Sequence, residues 1–90
     1  MSNFIIKGGV LTQYTGNGGK VTIPNDVKTI GARAFYKCAK LTEIEIPNKV
    51  TTIGDWAFRG CYNIKNIIAP AKFKDTLLKN LKGIKFTDNT

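Results

Sequence analysis

The 90-residue chain contains no histidine. That removes serine–histidine and cysteine–histidine nucleophile pairs, and it removes the commonest metal ligand. Cysteine is scarce: Cys38 and Cys61 are the only two. Without histidine they are too few for a structural zinc site, and no cofactor is expected. Acid is scarce too, with six Asp and Glu against fourteen Lys and Arg and a formal net charge of +8. Long hydrophobic runs are missing. No segment approaches the ~20 apolar residues of a membrane span. The opening Met1–Gly9 holds Phe4-Ile5-Ile6 and then a turn, well short of the apolar stretch of a secretory leader. If Met1 is the native start, the expected location is cytoplasmic. For a piece of a longer protein, the expected source is a secreted or cell-surface chain.

What is present suffices for one small domain. Hydrophobic residues make up 42% of the chain, enough for a core and too many for a disordered composition. A chain this short buries a modest share of its surface, so a net stability of about 5 kcal/mol is expected. The basic excess has two readings. It is a solvated face that keeps the domain soluble, or it draws an acidic partner: a protein, a nucleic acid or an anionic lipid surface. From Lys65 onward there are six Lys and only Asp75 and Asp88.

The strongest pattern is internal repetition. Ile23-Pro24 recurs as Ile46-Pro47, Val27 as Val50, Ile30-Gly31 as Ile53-Gly54, Ala34-Phe35 as Ala57-Phe58, Cys38 as Cys61 and Ile44 as Ile67. Laid over 47–69, the segment 24–46 matches at ten of 23 positions. A period of this length marks a solenoid, in which each unit buries its apolar side against its neighbours. Pro24, Pro47 and Pro70 end short strands, because proline cannot donate to a ladder. Gly31 and Gly54 open tight corners before short helical pieces at Ala32–Cys38 and Asp55–Cys61. Leu41, Ile44 and Ile46 return the chain to the sheet, with Ile44 and Ile46 on its core face. Phe35 stacks over Phe58, Ile30 over Ile53 and Ile44 over Ile67. Both cysteines fall within the apolar pattern and read as buried, reduced thiols. In-register coils would also bring them within disulfide reach on distance alone.

The ends differ from the repeat. Phe4–Ile6 and Val10–Tyr14 read as a hairpin about Lys7-Gly8-Gly9, and Gly16–Gly19 as a second turn feeding Lys20–Ile23. After Pro70, Phe73, Leu77, Leu78 and Leu81 form one stripe at helical spacing over Ala71–Lys82, and Ile84-Lys85-Phe86 suits a last short strand. The expected fold is therefore an α/β solenoid and a single domain over 1–90. Its two 23-residue units occupy 20–70, with an N-terminal β-hairpin cap over 1–19 and a C-terminal helical cap over 71–90.

The string Ile-Pro-x-x-Val-x-x-Ile-Gly-x-x-Ala-Phe-x-x-Cys-x-x-Leu-x-x-Ile-x-Ile-Pro is carried by Ile23–Pro47. It recurs over Ile46–Pro70 with Ile64 and Ala69 substituted. This pattern resembles the BspA-like class of leucine-rich repeats, and the opening segment is similar to the one that often precedes such repeats. The resemblance implies a solenoid with a parallel sheet on one face and short helical segments on the other. It also implies a non-enzymatic binding protein of the kind found on the surfaces of bacteria and some protists.

Candidate functional residues lie where the repeat does not dictate residue type. On the helical face, Arg33, Tyr36 and Lys37 of one unit lie beside Trp56, Arg59 and Tyr62 of the next. Trp, Tyr and Arg are the types enriched at binding hot spots. The alternative is that Trp56 and Tyr62 fold over the core edge with Arg stacked on them. The second candidate face is the outward side of the sheet, where Lys20 and Thr22, Glu43 and Glu45, and Asn66 and Ile68 fall side by side. Glu43 and Glu45 suit a solvated ion pair with Lys20 better than acid–base chemistry. Gly16–Gly19 precedes a strand, whereas a phosphate cradle opens a helix. The expectation is a protein-binding module, monomeric or weakly self-associating. The alternative is a basic protein that binds nucleic acid or inhibits a nucleoprotein complex, of mobile-element origin.

Overall fold

A computed structural model describes residues 3–78 and 83–89. The hairpin forms at the N-terminus: β1 (Phe4–Lys7) and β2 (Val10–Tyr14) pair antiparallel. Gly8 and Gly9, at φ 56° and 79°, supply the two left-handed residues of their tight turn. Then the chain coils. β3 (Gly19–Thr22), β5 (Leu41–Glu45), β7 (Asn66–Ala69) and β8 (Lys85–Asp88) lie side by side, all parallel. Lys20 faces Glu43 and Glu43 faces Asn66, a step of 23 residues per coil. The last step, Asn66 to Lys85, is 19 residues.

A second sheet occupies another side of each coil. β4 (Thr29–Ile30) and β6 (Thr52–Ile53) pair parallel with each other, and β4 pairs with β2, so the hairpin joins the solenoid as a ladder rung. A turn at each proline links the two sheets. Val27, Val50 and Phe73 donate their N–H groups to the carbonyls of Pro24, Pro47 and Pro70. The third of these shows the repeat grammar running on into residues 70–73, where Phe73 is buried in place of a valine.

Leu11, Val27, Ile30, Phe35, Leu41, Ile44, Ile46 and Val50 are fully buried. Ile53, in register with Ile30, is only half-buried. An aromatic column runs through the core. Phe4 meets Tyr14 at 5.5 Å between ring centroids, Tyr14 stacks on Phe35 at 5.0 Å, and Phe35 stacks on Phe58 at 5.0 Å with the planes 16° apart. Tyr14 is thus the first rung of the phenylalanine ladder. Its hydroxyl is satisfied by accepting from the Gly18 N–H.

The expected helical pieces at Ala32–Cys38 and Asp55–Cys61 do not form. Each is a run of consecutive turns, which we call the turn wall. Ala34, Tyr36 and Cys38 donate to carbonyls three residues back in their own coil. The alternate donors Arg33, Phe35 and Lys37 reach across to the carbonyls of Asp55, Ala57 and Arg59 in the next coil, at 3.1, 2.7 and 2.7 Å. A helix would consume every N–H internally. The cross-coil bonds hold the stacked coils together, so the turn conformation wins. The repeated glycine serves this stacking: a Cβ on Gly54 would sit 2.5 Å from the Ala32 nitrogen.

At the C-terminus the apolar stripe folds as a 3-10 turn (Ala71–Phe73) running into α1 (Lys74–Leu78), with Phe73 and Leu77 buried. The predicted continuation to Lys82, with Leu81, lies outside the described residues. β8 returns to the sheet, as Ile84-Lys85-Phe86 anticipates. Asn89 fastens the end: its N–H donates to Ala69, its side-chain amide to the Ile46 carbonyl at 2.8 Å, and its carbonyl accepts from Asn48.

Candidate functional site

The non-repeating positions of the turn wall come together as one patch. Arg33 and its repeat equivalent Trp56 share a left-handed backbone, both at φ 59°. Bulky residues rarely adopt this conformation. It turns both side chains off the wall and onto each other. The Arg33 guanidinium lies 4.9 Å from the Trp56 ring centre and 5.7 Å from that of Tyr36. Arg59 approaches Trp56 to 4.6 Å, and the Lys37 ammonium lies 5.3 Å from Tyr36. Cations and rings thus alternate in the order Lys37, Tyr36, Arg33, Trp56, Arg59. Trp56 remains 50% exposed, with Arg33 and Arg59 stacked on its ring. Tyr62 is 85% exposed and lines the groove beside Trp56 and Arg59. Four of the five expected residues are therefore in mutual contact, and Lys37 completes the row.

Beside the patch lies a groove of about 970 Å³ between the second turn segment and α1, lined by Trp56, Phe58, Arg59, Gly60, Tyr62 and Leu77 among others. On its wall the backbone N–H groups of Trp56, Phe58 and Gly60 have no acceptor among the described residues. They are the equivalents of the Arg33, Phe35 and Lys37 donors that bond to the next coil. Sequence reasoning missed this row, because backbone donors carry no residue-type signature.

The sheet face is a plainer surface. Glu43 sits between Lys20, 3.4 Å from its carboxylate, and Asn66, whose amide donates to it at 3.1 Å. Glu45 lies in register with Thr22 and Ile68, both it and Ile68 half-buried. A carboxylate already engaged by two neighbours is poorly placed for acid–base work.

Neither cysteine is in a disulfide. Cys61 is fully buried, and its thiol donates to the Phe35 carbonyl. Burial pushes its pKa up to about 12. Cys38 is part-exposed rather than buried, although its repeat equivalent Cys61 is fully buried; burial still raises its pKa, by desolvation first, against a smaller lowering by its contact with Cys61. No cluster of metal-ligating side chains occurs among the described residues. No helix of the described residues is long and apolar enough to cross a membrane.

The family model for the BspA-type leucine-rich repeat region (6 copies) matches residues 12–89. The chain belongs to the BspA-type leucine-rich repeat family. Two solved structures resemble this leucine-rich repeat chain. One is a leucine-rich repeat protein from Bacteroides ovatus, 30% identical, with a TM-score of 0.67 over 79% of this chain and 18% of that one. The other is a leucine-rich repeat protein from T. pallidum, 28% identical, with a TM-score of 0.59 over 87% of this chain and 42% of that one. The leucine-rich repeat chain thus spans less than half the length of either. No curated protein shows significant similarity to it.

Proposed function

We propose that this leucine-rich repeat domain is a non-enzymatic protein-binding module whose contact surface is the cation–aromatic patch of the turn wall. Trp56 is its centre, Arg33 and Arg59 flank the ring, and Tyr36 and Tyr62 form the rim. One observation carries the reading. Trp56 is half-exposed on a left-handed backbone, where glycine would be free of strain. An exposed Trp between two guanidiniums is a ready anchor. The left-handed backbone itself belongs to the repeat, since Arg33 and Lys37 share it, and what sets Trp56 apart is its ring. In the same reading, residues 20–70 are the repeats, and 1–19 and 71–90 close the two ends.

The test is affinity capture from the source cell with wild type and Trp56→Ala, with and without nuclease. Alanine keeps the backbone strain, so stability should hold while partner affinity falls by about 2 kcal/mol. Unchanged capture by Trp56→Ala would transfer the role to the Glu43–Glu45–Ile68 face. Capture abolished by nuclease would point to nucleic acid instead.

A further inference from the structure

The turn that feeds β3 holds a reactive dipeptide. Asn17-Gly18 is the one asparagine–glycine pair in the chain. Asparagine is a thermolabile side chain. A following glycine, with no Cβ, leaves its backbone nitrogen open to attack the carboxamide. Asn17 is exposed, and its side chain makes no hydrogen bond among the described residues. Asn48, Asn63, Asn66 and Asn89 differ, each donating its side-chain amide to a carbonyl or a carboxylate.

At Asn17-Gly18 the nucleophile is restrained instead. The Gly18 N–H donates to the Tyr14 hydroxyl at 3.0 Å. Tyr14 is 8% exposed and its ring is stacked on Phe35, so the core fixes this acceptor. The turn wraps the hydroxyl closely: a Cβ on Gly16 would stand 2.4 Å from it. On the other side, the Gly19 N–H donates to the Lys40 carbonyl at 2.7 Å, and a Cβ on Gly18 would meet the Lys40 backbone at 2.5 Å. The backbone at Gly18 is thus pinned from two sides. Cyclisation needs the Gly18 nitrogen to lose its proton to a solvent base and to move onto the Asn17 side-chain carbon. Both steps break the bond to Tyr14.

We propose that Asn17-Gly18 is a deamidation site, which the Tyr14 hydroxyl holds shut while the first rung of the core is intact. When that rung opens, the Gly18 nitrogen attacks Cγ of Asn17, the carboxamide nitrogen leaves as ammonia, and a succinimide ring closes. Water then opens the ring at either carbonyl, to aspartate or isoaspartate. The net reaction consumes water and releases ammonia. Either product adds a carboxylate and lowers the net charge of +8. Isoaspartate also adds a methylene to the main chain beside Gly18. A turn held flush against Lys40 has no slack for it, so the Gly19–Lys40 bond and the start of β3 should loosen. Opening of the first rung is thereby recorded as a covalent change that refolding does not reverse.

The experiment is ageing of the whole chain in mildly alkaline buffer. Peptide mapping by mass spectrometry separates asparagine, aspartate and isoaspartate at position 17. The samples are folded wild type, wild type unfolded in urea, and folded Tyr14→Phe, which keeps the ring and loses the hydroxyl. Folded wild type should react slowest and the unfolded chain fastest. Tyr14→Phe should speed the folded reaction by about tenfold, one hydrogen bond's worth. Asn66 and Asn89 are internal references and should stay unchanged. Amide exchange at Phe35 and Lys37, both bonded across coils, shows that the variant is folded. Equal rates for folded and unfolded wild type, an unchanged rate in folded Tyr14→Phe, or equal acceleration at Asn66 and Asn89 would each overturn the proposal. If Tyr14→Phe does not fold, wild type decides alone. Its Gly18 amide must be protected from exchange, and rapid exchange there overturns the Tyr14 lock.

Discussion

At the residue scale, Phe35 and Phe58 sit in equivalent buried sites, and the stack between them joins one coil to the next. Phe58→Ala should cost about 3–5 kcal/mol, which threatens folding in a domain of this size. A denaturant melt losing less than about 1 kcal/mol would contradict this account of the core. Trp56 behaves oppositely. Trp56→Gly relieves a left-handed residue and should raise stability by up to about 1 kcal/mol, while removing the patch's centre. Cys61 gives a pH signature. Its folded pKa, about 12, exceeds the ordinary thiol value of 9.0. The unfolded chain therefore loses this proton first as pH rises. The thiol's contribution to stability is whole below about pH 9 and declines toward pH 12. Melting followed across that range should fall less steeply for Cys61→Ala. Thiol reagents should label Cys38 slowly and Cys61 only on unfolding. The buried ladders were legible in the sequence because repeated apolar spacing admits few solutions. The exposure of Cys38 was not, because its residue type matched the buried Cys61.

At the scale of elements, the strands around each proline and the hairpin followed from proline's missing donor and the paired glycines. The turn wall did not. Left-handed Arg33, Lys37 and Trp56 carry no outward sign of their backbone. The one available clue was Gly60, which stands where the previous unit has Lys37 and has φ 86°. A glycine standing where the previous unit has lysine is a weak sign of a left-handed site, which a helix interior does not contain. The patch itself was largely legible, since its residues are those the repeat leaves undetermined. The end segment 71–90 is tested by stopping the chain at Pro70. That removes β8 from its pairing with β7, takes away Phe73 and Leu77, and leaves Ile64 and Ile67 at an open end. Apolar surface of that kind drives association. Light scattering should show dimers or aggregates; an equally stable monomer would show that the segment is dispensable.

At the scale of the whole molecule, one continuous core is built from contacts between successive coils, so damage to a middle rung is felt on both sides. The turn wall also has a direction. Tyr14, Arg33, Phe35 and Lys37 all donate toward the following coil, to Ala34, Asp55, Ala57 and Arg59. Elsewhere in the coil the bonds run back, Gly31 to Leu11, Gly54 to Ile30 and Lys65 to Thr42, so the backbone dipoles largely cancel across the stack. Exposed Lys65, Lys72, Lys74 and Lys85 cluster late in the chain, whereas residues 1–19 hold only Lys7. Side-chain charge alone therefore makes the stack an electrical vector. On a carboxylate-coated surface it should adsorb standing on its last coil, with the hairpin held away from the surface.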